Sequence, residues 1–535
     1  MVSARYSIGL DFGTESGRVM LVDLDGGAEV AWTVVPYRSG VIDRQLPDWA
    51  LQDPMDYLDV LRDGIPKVLR ESGVLPSEIV GIGVDFTACT VLPTLRDGTP
   101  LSTLPRYSGN PHAWVKLWKH HAAQPQADRI NELAAGSDLL RVFGGKVSSE
   151  WLFPKLLQTL QEAPEIYAAC ERFLEAGDWL VWQLTGEERR SECAAGYKSM
   201  WIKGVGFPSR EFLRALDPRL ENAVDEKLST AFLPLGAKAG GLTAAMAEAT
   251  GLLEGTPVAA ANVDAHAGVP ACGVVDPGRL VMIMGTSLCH MLLAEERRLV
   301  EGVAGVIEDG IVPGLWGYEA GQAAVGDIYA WFFRTVERSP EWLTEGAMQL
   351  RPGESGLLAL DWWNGNRSVL TDADLTGVLV GATLATRPEE IYRSLVEATA
   401  FGTYTVIKAF EKEGVPIREL VACGGLAQKS PLVMQIFADV TNREIRLPRS
   451  LQGSGLGAAM HGAVAAGAFR NIAEAASRMA SLQEHSYRPD AAAHAIYEKL
   501  YAEYAQLHDY FGRGGNNVMK RLKALQASVR AQGKA

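Results

Sequence analysis

The sequence predicts an α/β protein in which one domain occurs twice, and three observations carry that expectation. Residues 6–12 and 279–284 are apolar runs that break at short hairpins, Gly13-Thr14-Glu15-Ser16-Gly17 and Gly285-Thr286-Ser287, before a second apolar run resumes. In each half a helix pattern follows, and then a short, almost continuous apolar run, at 79–85 and at 420–423. Such runs suit strands covered on both faces. The length, 535 residues, exceeds what one core usually serves.

In order along the chain, Tyr6–Phe12, Val19–Leu24 and Ala28–Val35 read as a three-strand meander turned at Asp25-Gly26-Gly27. Asp53-Pro54 opens a helix, because Asp can cap it and Pro has no amide to lose at the first helical position. Tyr57, Leu58, Leu61, Ile65 and Leu69 fall on one face of that helix. Ile79–Asp85 is the buried strand. Residues 105–201 are helix-rich and hold six tryptophans, an insertion suited to covering a ligand. In the second half, strands are expected at 279–284, 288–294 and 420–423. Helices are expected from Pro388 to about Lys412, from Ser430-Pro431, and from about Gly455 to Ala466. The lysine-rich segment after Gly514-Gly515 reads as a loosely attached helix.

Composition closes off several functions. Lys+Arg 51 against Asp+Glu 64 leaves −13 at pH 7, which argues against a broad nucleic-acid or anionic-membrane surface. The basic, aromatic stretch Val115–His121 is therefore expected as an amphipathic helix. Six cysteines stand singly, with neither zinc nor disulfide spacing, and Cys89, Cys272 and Cys289 read as buried thiols. The run 280–295 is too short to span a bilayer, and Met1–Arg5 lead into a strand with no signal-peptide core. A cytoplasmic protein is expected.

The P-loop, the dinucleotide GxGxxG, GxSxG and HExxH motifs are all missing from the sequence. What is present is the pair of hairpins. Gly13 lets backbone approach phosphate oxygens, Thr14 and Ser16 add hydroxyls, Asp11 could hold Mg²⁺, and Arg18 could meet a terminal phosphate. One such hairpin is equally well an ordinary tight turn. Two facing each other, the second formed by Gly285, Thr286 and Ser287, would cradle one polyphosphate. Gly424 and Gly425 follow a strand and would let backbone lie flat against a planar ligand such as adenine.

Asp264 ends the strand pattern 258–263 and is placed to take a proton from a substrate hydroxyl, or else to cap a helix. Asp85, at the end of its own strand, has the same two readings. His266 alone reads as a packed histidine. Lys198 and Glu319 each sit among aromatic and small residues, as sugar ligands do, although an isolated Lys or Glu is more often solvated surface.

Together, the hairpins, Asn262-Val263-Asp264-Ala265-His266 and Gly424-Gly425 resemble the FGGY carbohydrate kinases. Residues 377–397 are similar to that family's C-terminal signature, departing at Ala382. The resemblance implies two ribonuclease-H-like domains of the actin/Hsp70 ATPase type flanking a cleft. It implies a sugar-binding domain at 1–274 with a helical insertion, and a nucleotide-binding domain at 275–535 with a helical tail. The strings at 84–90 and 110–121 resemble the bacterial branch that phosphorylates ribulose at O5 in arabinose catabolism. Carried over, Asp264 is the general base, with Ala88, Lys198 and Glu319 around the sugar, ATP and Mg²⁺ as cofactors, and no nucleic-acid or membrane partner. Another ketopentose or pentitol, such as xylulose or ribitol, stays open as substrate. So do homo-oligomerisation and an actin/Hsp70-like ATPase without sugar kinase activity.

Overall fold

In the computed structural model, which describes residues 5–44, 46, 48–303 and 305–532, the first meander forms as expected. Strands β1 (Tyr6–Phe12), β2 (Ser16–Asp23) and β3 (Glu29–Pro36) pair antiparallel. Met1–Ser3 and Ala4, part of the expected leaderless start, lie outside the described residues. The Asp53 carboxylate accepts from Met55 N at 2.9 Å, and the helix it opens runs over 54–72 through a π turn at 60–64. Its five predicted apolar residues are all buried, against β2 and β3. Strand β4 (Ile79–Phe86) lies parallel to β1. β5 (Lys238–Gly241), β6 (Pro257–Ala259) and β7 (Asn262–Val263) complete a seven-stranded sheet, ordered β5-β6-β4-β1-β2-β3, with β7 also pairing β4.

The second sheet repeats the plan. β8 (Arg279–Met284), β9 (Leu288–Ala294) and β11 (Trp316–Gln322) form an antiparallel meander, extended at its edge by β10 (Gly305–Glu308). β12 (Glu419–Cys423) is parallel to β8, β13 (Ile445–Pro448) is parallel to β12, and β14 (Leu482–Tyr487) is the antiparallel edge. In both sheets a meander supplies one side and parallel strands extend the other.

Between β4 and β5 lies the helical insertion, which includes α1 (Glu192–Lys198). Further on come α2 (Asp264–Ala271), α3 (Pro388–Lys412), α4 (Gly453–Ala465) and α5 (Val518–Gln532). Helix α4 does not stay with the half of the sequence it belongs to: it packs on β1, β4 and α2. Glycine makes this possible. A Cβ at Gly9 would overlap the Gly455 carbonyl oxygen, and one at Gly83 the Ala458 carbonyl oxygen. Ser7 Oγ adds a bond to the Ala459 carbonyl at 2.8 Å.

One expected helix is absent. Val115–His121 forms a two-residue strand, 115–116, followed by a turn closed by His120 N to Leu117 O. The reason is tertiary. Lys116 is 1% exposed, and its amine bonds Thr159 Oγ1 at 2.6 Å and Gln158 Oε1 at 3.1 Å, so it turns inward, where burial holds its pKa well below the usual range, rather than along a solvated helix face. All six cysteines are free, and Cys289 is the one that is not fully buried. Among the described residues no helix is long and apolar enough to cross a membrane.

Candidate active site

A cavity of about 340 Å³ opens between the two sheets, and both predicted hairpins line it through Gly13, Thr14, Gly285, Thr286 and Ser287. Each hairpin is closed by its own backbone, Gly13 N to Ser16 O at 3.0 Å and Gly285 N to Ser287 O at 2.9 Å. The second is braced from behind, since Val325 N donates to Thr286 O and Gly326 N to Gly285 O. The first is held by the insertion and the 52–72 segment: Trp118 Nε1 donates to Thr14 Oγ1 at 3.1 Å, and Gln52 Nε2 to Thr14 O at 2.7 Å. A Cβ at Gly285 would meet nothing nearer than 4.0 Å, and one at Gly425 nothing within 4 Å, so backbone faces open room at both places. Gly424, at φ 92°, is pressed onto the Met284 carbonyl, where any Cβ would overlap. Gly424 and Gly425 therefore adjoin the second hairpin without forming part of the cavity wall.

Asp264 also lines the cavity. Val263, aligned with Phe86 of the neighbouring strand, holds the cap position of α2, so Asp264 is the first helical residue and not the N-cap. Its Oδ1 accepts from Ala265 N at 2.6 Å. Burial, and then the charge of Asp11, push its carboxyl up to about 7, against the opposing pull of the Ala265 N–H and Lys198. A carboxylate balanced near neutrality suits a general base.

Lys198 and Glu319, each a weak candidate alone, meet here: Nζ to Oε1 is 2.7 Å, with side chains 7% and 8% exposed. Burial alone would neutralise both. The lysine instead stays above its usual range because of Glu319, and the glutamate well below its own because of Lys198, His266 and Arg367. The pair is thus fully ionised and spans the cleft, Lys198 on α1 of the insertion and Glu319 on β11. His266 is packed, as expected. It stacks on Tyr197 with ring centroids 4.1 Å apart and is kept neutral by burial, yet its Nε2 also lies 3.4 Å from Glu319 Oε2. Ala88 lines the same wall.

Three expectations need correction. Asp85 does not reach the substrate space: it is 0% exposed and both carboxylate oxygens lack a partner. It sits on β4 beside Asp11 and Asn262, and burial followed by the Asp11 and Asp264 charges raises its carboxyl well above the usual range, so it is held neutral. Arg18 is not in the cavity wall; its Nη1 pairs with Asp11 Oδ2 at 2.8 Å. Ser16 heads β2, closing the turn with its carbonyl, and does not line the cavity. Asp11 is paired with Arg18, and among the described residues no group of three or more His, Cys, Asp or Glu is arranged to hold a metal ion, so Asp11 is left as a single carboxylate that could meet one through water.

Sequence reasoning missed Arg367, Glu150, Trp118, Cys89 and Ser454, all in the cavity wall. Arg367 Nη2 lies 3.3 Å from Glu319 Oε1. Its only trace in the sequence is a turn-like Asn364-Gly365-Asn366-Arg367, and turns of that kind are common. Trp118 belonged to the string expected as an amphipathic helix. Ser454 arrives on α4, from a part of the chain with no local hint of the first sheet.

Two phosphate-sized hairpins facing a near-neutral carboxylate and a buried ion pair can transfer a phosphoryl group to a polyol, and the comparisons with known proteins agree. Residues 6–270 match the N-terminal domain, and residues 280–466 the C-terminal domain, of the FGGY family of carbohydrate kinases. A ribulokinase of Halalkalibacterium halodurans is 55% identical, with 98% of each chain covered. One from Mycolicibacterium smegmatis is 47% identical, over 98% of this chain and 97% of its own. Among solved structures, a gluconate kinase from Lactobacillus acidophilus superposes with TM-score 0.83 at 18% identity, covering 96% of this chain and 99% of that one. A xylulose kinase from Rhodospirillum rubrum gives 0.78 at 22% identity, over 94% and 98%. These structures share the fold. With matches across both halves, the chain belongs to the FGGY family of carbohydrate kinases, enzymes that use ATP, and not to the chaperone or filament-forming ATPases.

Proposed function

We propose that the protein phosphorylates ribulose at O5 with ATP, giving ribulose 5-phosphate, a cytoplasmic step of arabinose catabolism. The observation that carries the mechanism is Asp264, whose carboxyl opens onto the cavity wall between the hairpins and the Lys198–Glu319 pair. The choice of sugar rests on the ribulokinases that resemble the chain end to end.

In this reading the backbone at Gly13-Thr14 and Gly285-Thr286-Ser287 holds the phosphates, and the room beside Gly425 takes the base. Lys198 and Glu319 bind sugar hydroxyls, with the Ala88 backbone against the carbon chain. Phosphoryl transfer is loose, so Asp264 mainly aims O5 and accepts its proton late. Asp11, through water, is this chain's candidate for Mg²⁺, which would offset the phosphate charge. The sugar then belongs to residues 1–274 and the nucleotide to 275–535, with Glu319, Arg367 and α4 crossing between them.

Coupled ADP release over L- and D-ribulose, D-xylulose, ribitol, L-arabitol and glycerol tests the proposal. A ribulose should give the highest kcat/KM. A clear preference for D-xylulose, ribitol or glycerol would overturn the substrate, and sugar-independent ATP hydrolysis would overturn the acceptor chemistry.

A further inference from the structure

We propose that Lys155 is a positioning residue for the sugar: from behind the cavity wall it fixes the turn at Ala88 and Cys89 that borders the substrate. The inference rests on the sugar kinase reading above. Lys155 lies on the helix Leu152–Glu162 of the insertion and is 0% exposed. Its Nζ donates to three main-chain carbonyls, Cys89 O at 2.5 Å, Leu117 O at 2.9 Å and Lys116 O at 3.4 Å. Burial pulls its pKa down only to about 8, opposed by Cys89, Glu175 and Glu150, so the amine keeps its charge at neutral pH. An ammonium has three N–H donors, and here each has its own acceptor. Lys155 therefore acts on the site through the backbone it holds and not by touching the sugar.

Cys89 is where this wall needs holding. It stands at φ 56°, in the left-handed region that favours glycine, and it lines the cavity together with Thr87 and Ala88. The ends of the turn are tied to neighbouring elements, Thr87 N donating to Phe12 O at 3.1 Å and Ala176 N to Thr90 O at 2.7 Å. Its middle is held by Thr90 Oγ1 on the Ala88 carbonyl, at a long 3.4 Å, and by Lys155 on the Cys89 carbonyl. Among the described residues no acceptor meets the N–H of Ala88 or of Cys89. Two successive amides in a cavity wall can donate to substrate oxygens, provided that their peptides keep one direction. A charge-assisted bond to a carbonyl of the same turn supplies that constraint. Through Leu117 O the same amine is anchored to the residue before Trp118, whose Nε1 donates to Thr14 Oγ1. The position of the turn is thereby fixed relative to the first hairpin.

The test measures KM for L-ribulose and for ATP in K155M and K155Q at pH 7, against the wild type and K227M, with melting curves to confirm folding. Lys227 is the matched control: it is also buried and donates to the Cys170 carbonyl at 2.6 Å, but neither residue lines the cavity. In K155M, KM for L-ribulose should rise about 10- to 100-fold, as for a binding group displaced by a fraction of an ångström, while KM for ATP stays within about threefold. K155Q keeps two N–H donors on a shorter side chain and should fall between; where K155M does not fold, K155Q decides. K227M should lower the melting temperature yet leave both KM values within about twofold. A wild-type sugar KM in folded K155M or K155Q would overturn the assignment. An equal rise in K227M would overturn it too, since loosening of the insertion would then explain both. So would a rise confined to KM for ATP. If another acceptor proves to be the wild type's substrate, the ribulose reading fails by itself, and the same variants on that acceptor still decide Lys155.

Discussion

Asp264 shows how far one carboxyl can be tuned by its surroundings. With its carboxyl pushed up to about 7 by burial and Asp11, it is the free enzyme's base only when ionised. The kcat/KM should therefore fall about tenfold per pH unit below that value and level off above it. Asp264→Asn should lose that limb and about 10² to 10⁴ in kcat, with ATP affinity retained. Because Val263 and not Asp264 holds the cap position, the melting temperature should hold too. Near-normal turnover in folded Asp264→Asn would remove the base from the mechanism. Asp85 is a different case, a neutral carboxyl with no partner. Its folded pKa lies above the unfolded value of about 3.9, so its contribution to stability is complete below that pH. It is lost as pH rises toward the folded pKa, because the unfolded chain gives up its proton first. Asp85→Asn keeps a neutral group beside Asp11 and should gain in melting temperature over the wild type between pH 5 and 8. Parallel melting curves across that range would show Asp85 to be no such group.

At the scale of elements, backbone geometry dominates. The second hairpin is held by four of its own and neighbouring backbone bonds, and its glycine faces open room. Gly285→Val should fold normally yet put a branched side chain where backbone meets phosphate, weakening ATP binding without changing sugar affinity. Calorimetry showing wild-type ATP affinity would take the hairpin out of the nucleotide site. Gly9 is the opposite case, since any Cβ there meets the Gly455 carbonyl. Gly9→Ala should push α4 off the first sheet and cost about 1–3 kcal/mol, read as a lower melting temperature. An unshifted transition would mean that the two backbones can part at no cost.

Across the whole molecule, Glu319 ties the halves together. It receives Lys198 from the insertion after β4, His266 from α2 and Arg367 from the second half, the closest contact being 2.7 Å. Glu319→Gln keeps the shape but removes the charge that holds both cations. Sugar KM should rise about 10- to 100-fold with KM for ATP little changed, as for the loss of a charge-assisted hydrogen bond. Steady-state kinetics with sugar and ATP varied in turn separate the two, and unaltered sugar dependence would reduce Glu319 to a structural tie.

Periodicity and turn chemistry by themselves determined most of the elements. The first meander, the first two strands of the second, the capped helix at 54, the long helix from Pro388 and the repeated hairpins all stand within a few residues of where the pattern puts them, whereas β10 and β11 had no such signal. Those signals are local: alternation of apolar residues, a capping carboxylate, a glycine at a turn. The chemistry of Asp264, Lys198 and Glu319 was legible as residue type but not as a site, because the ion pair joins residues 121 positions apart. Only tertiary structure decided which carboxylate faces the cavity. Asp85 lies near the end of β4 and Asp264 just after the neighbouring β7, yet burial with the charges of Asp11 and Asp264 makes Asp85 neutral while Asp264 opens onto the substrate space. The same holds for Arg18, taken by Asp11, for Lys116, drawn into the interior, and for α4, which crosses to a sheet built from the other end of the chain. Each of these outcomes depends on distances through space between residues far apart in the chain, and a pattern read along the sequence carries no measure of them.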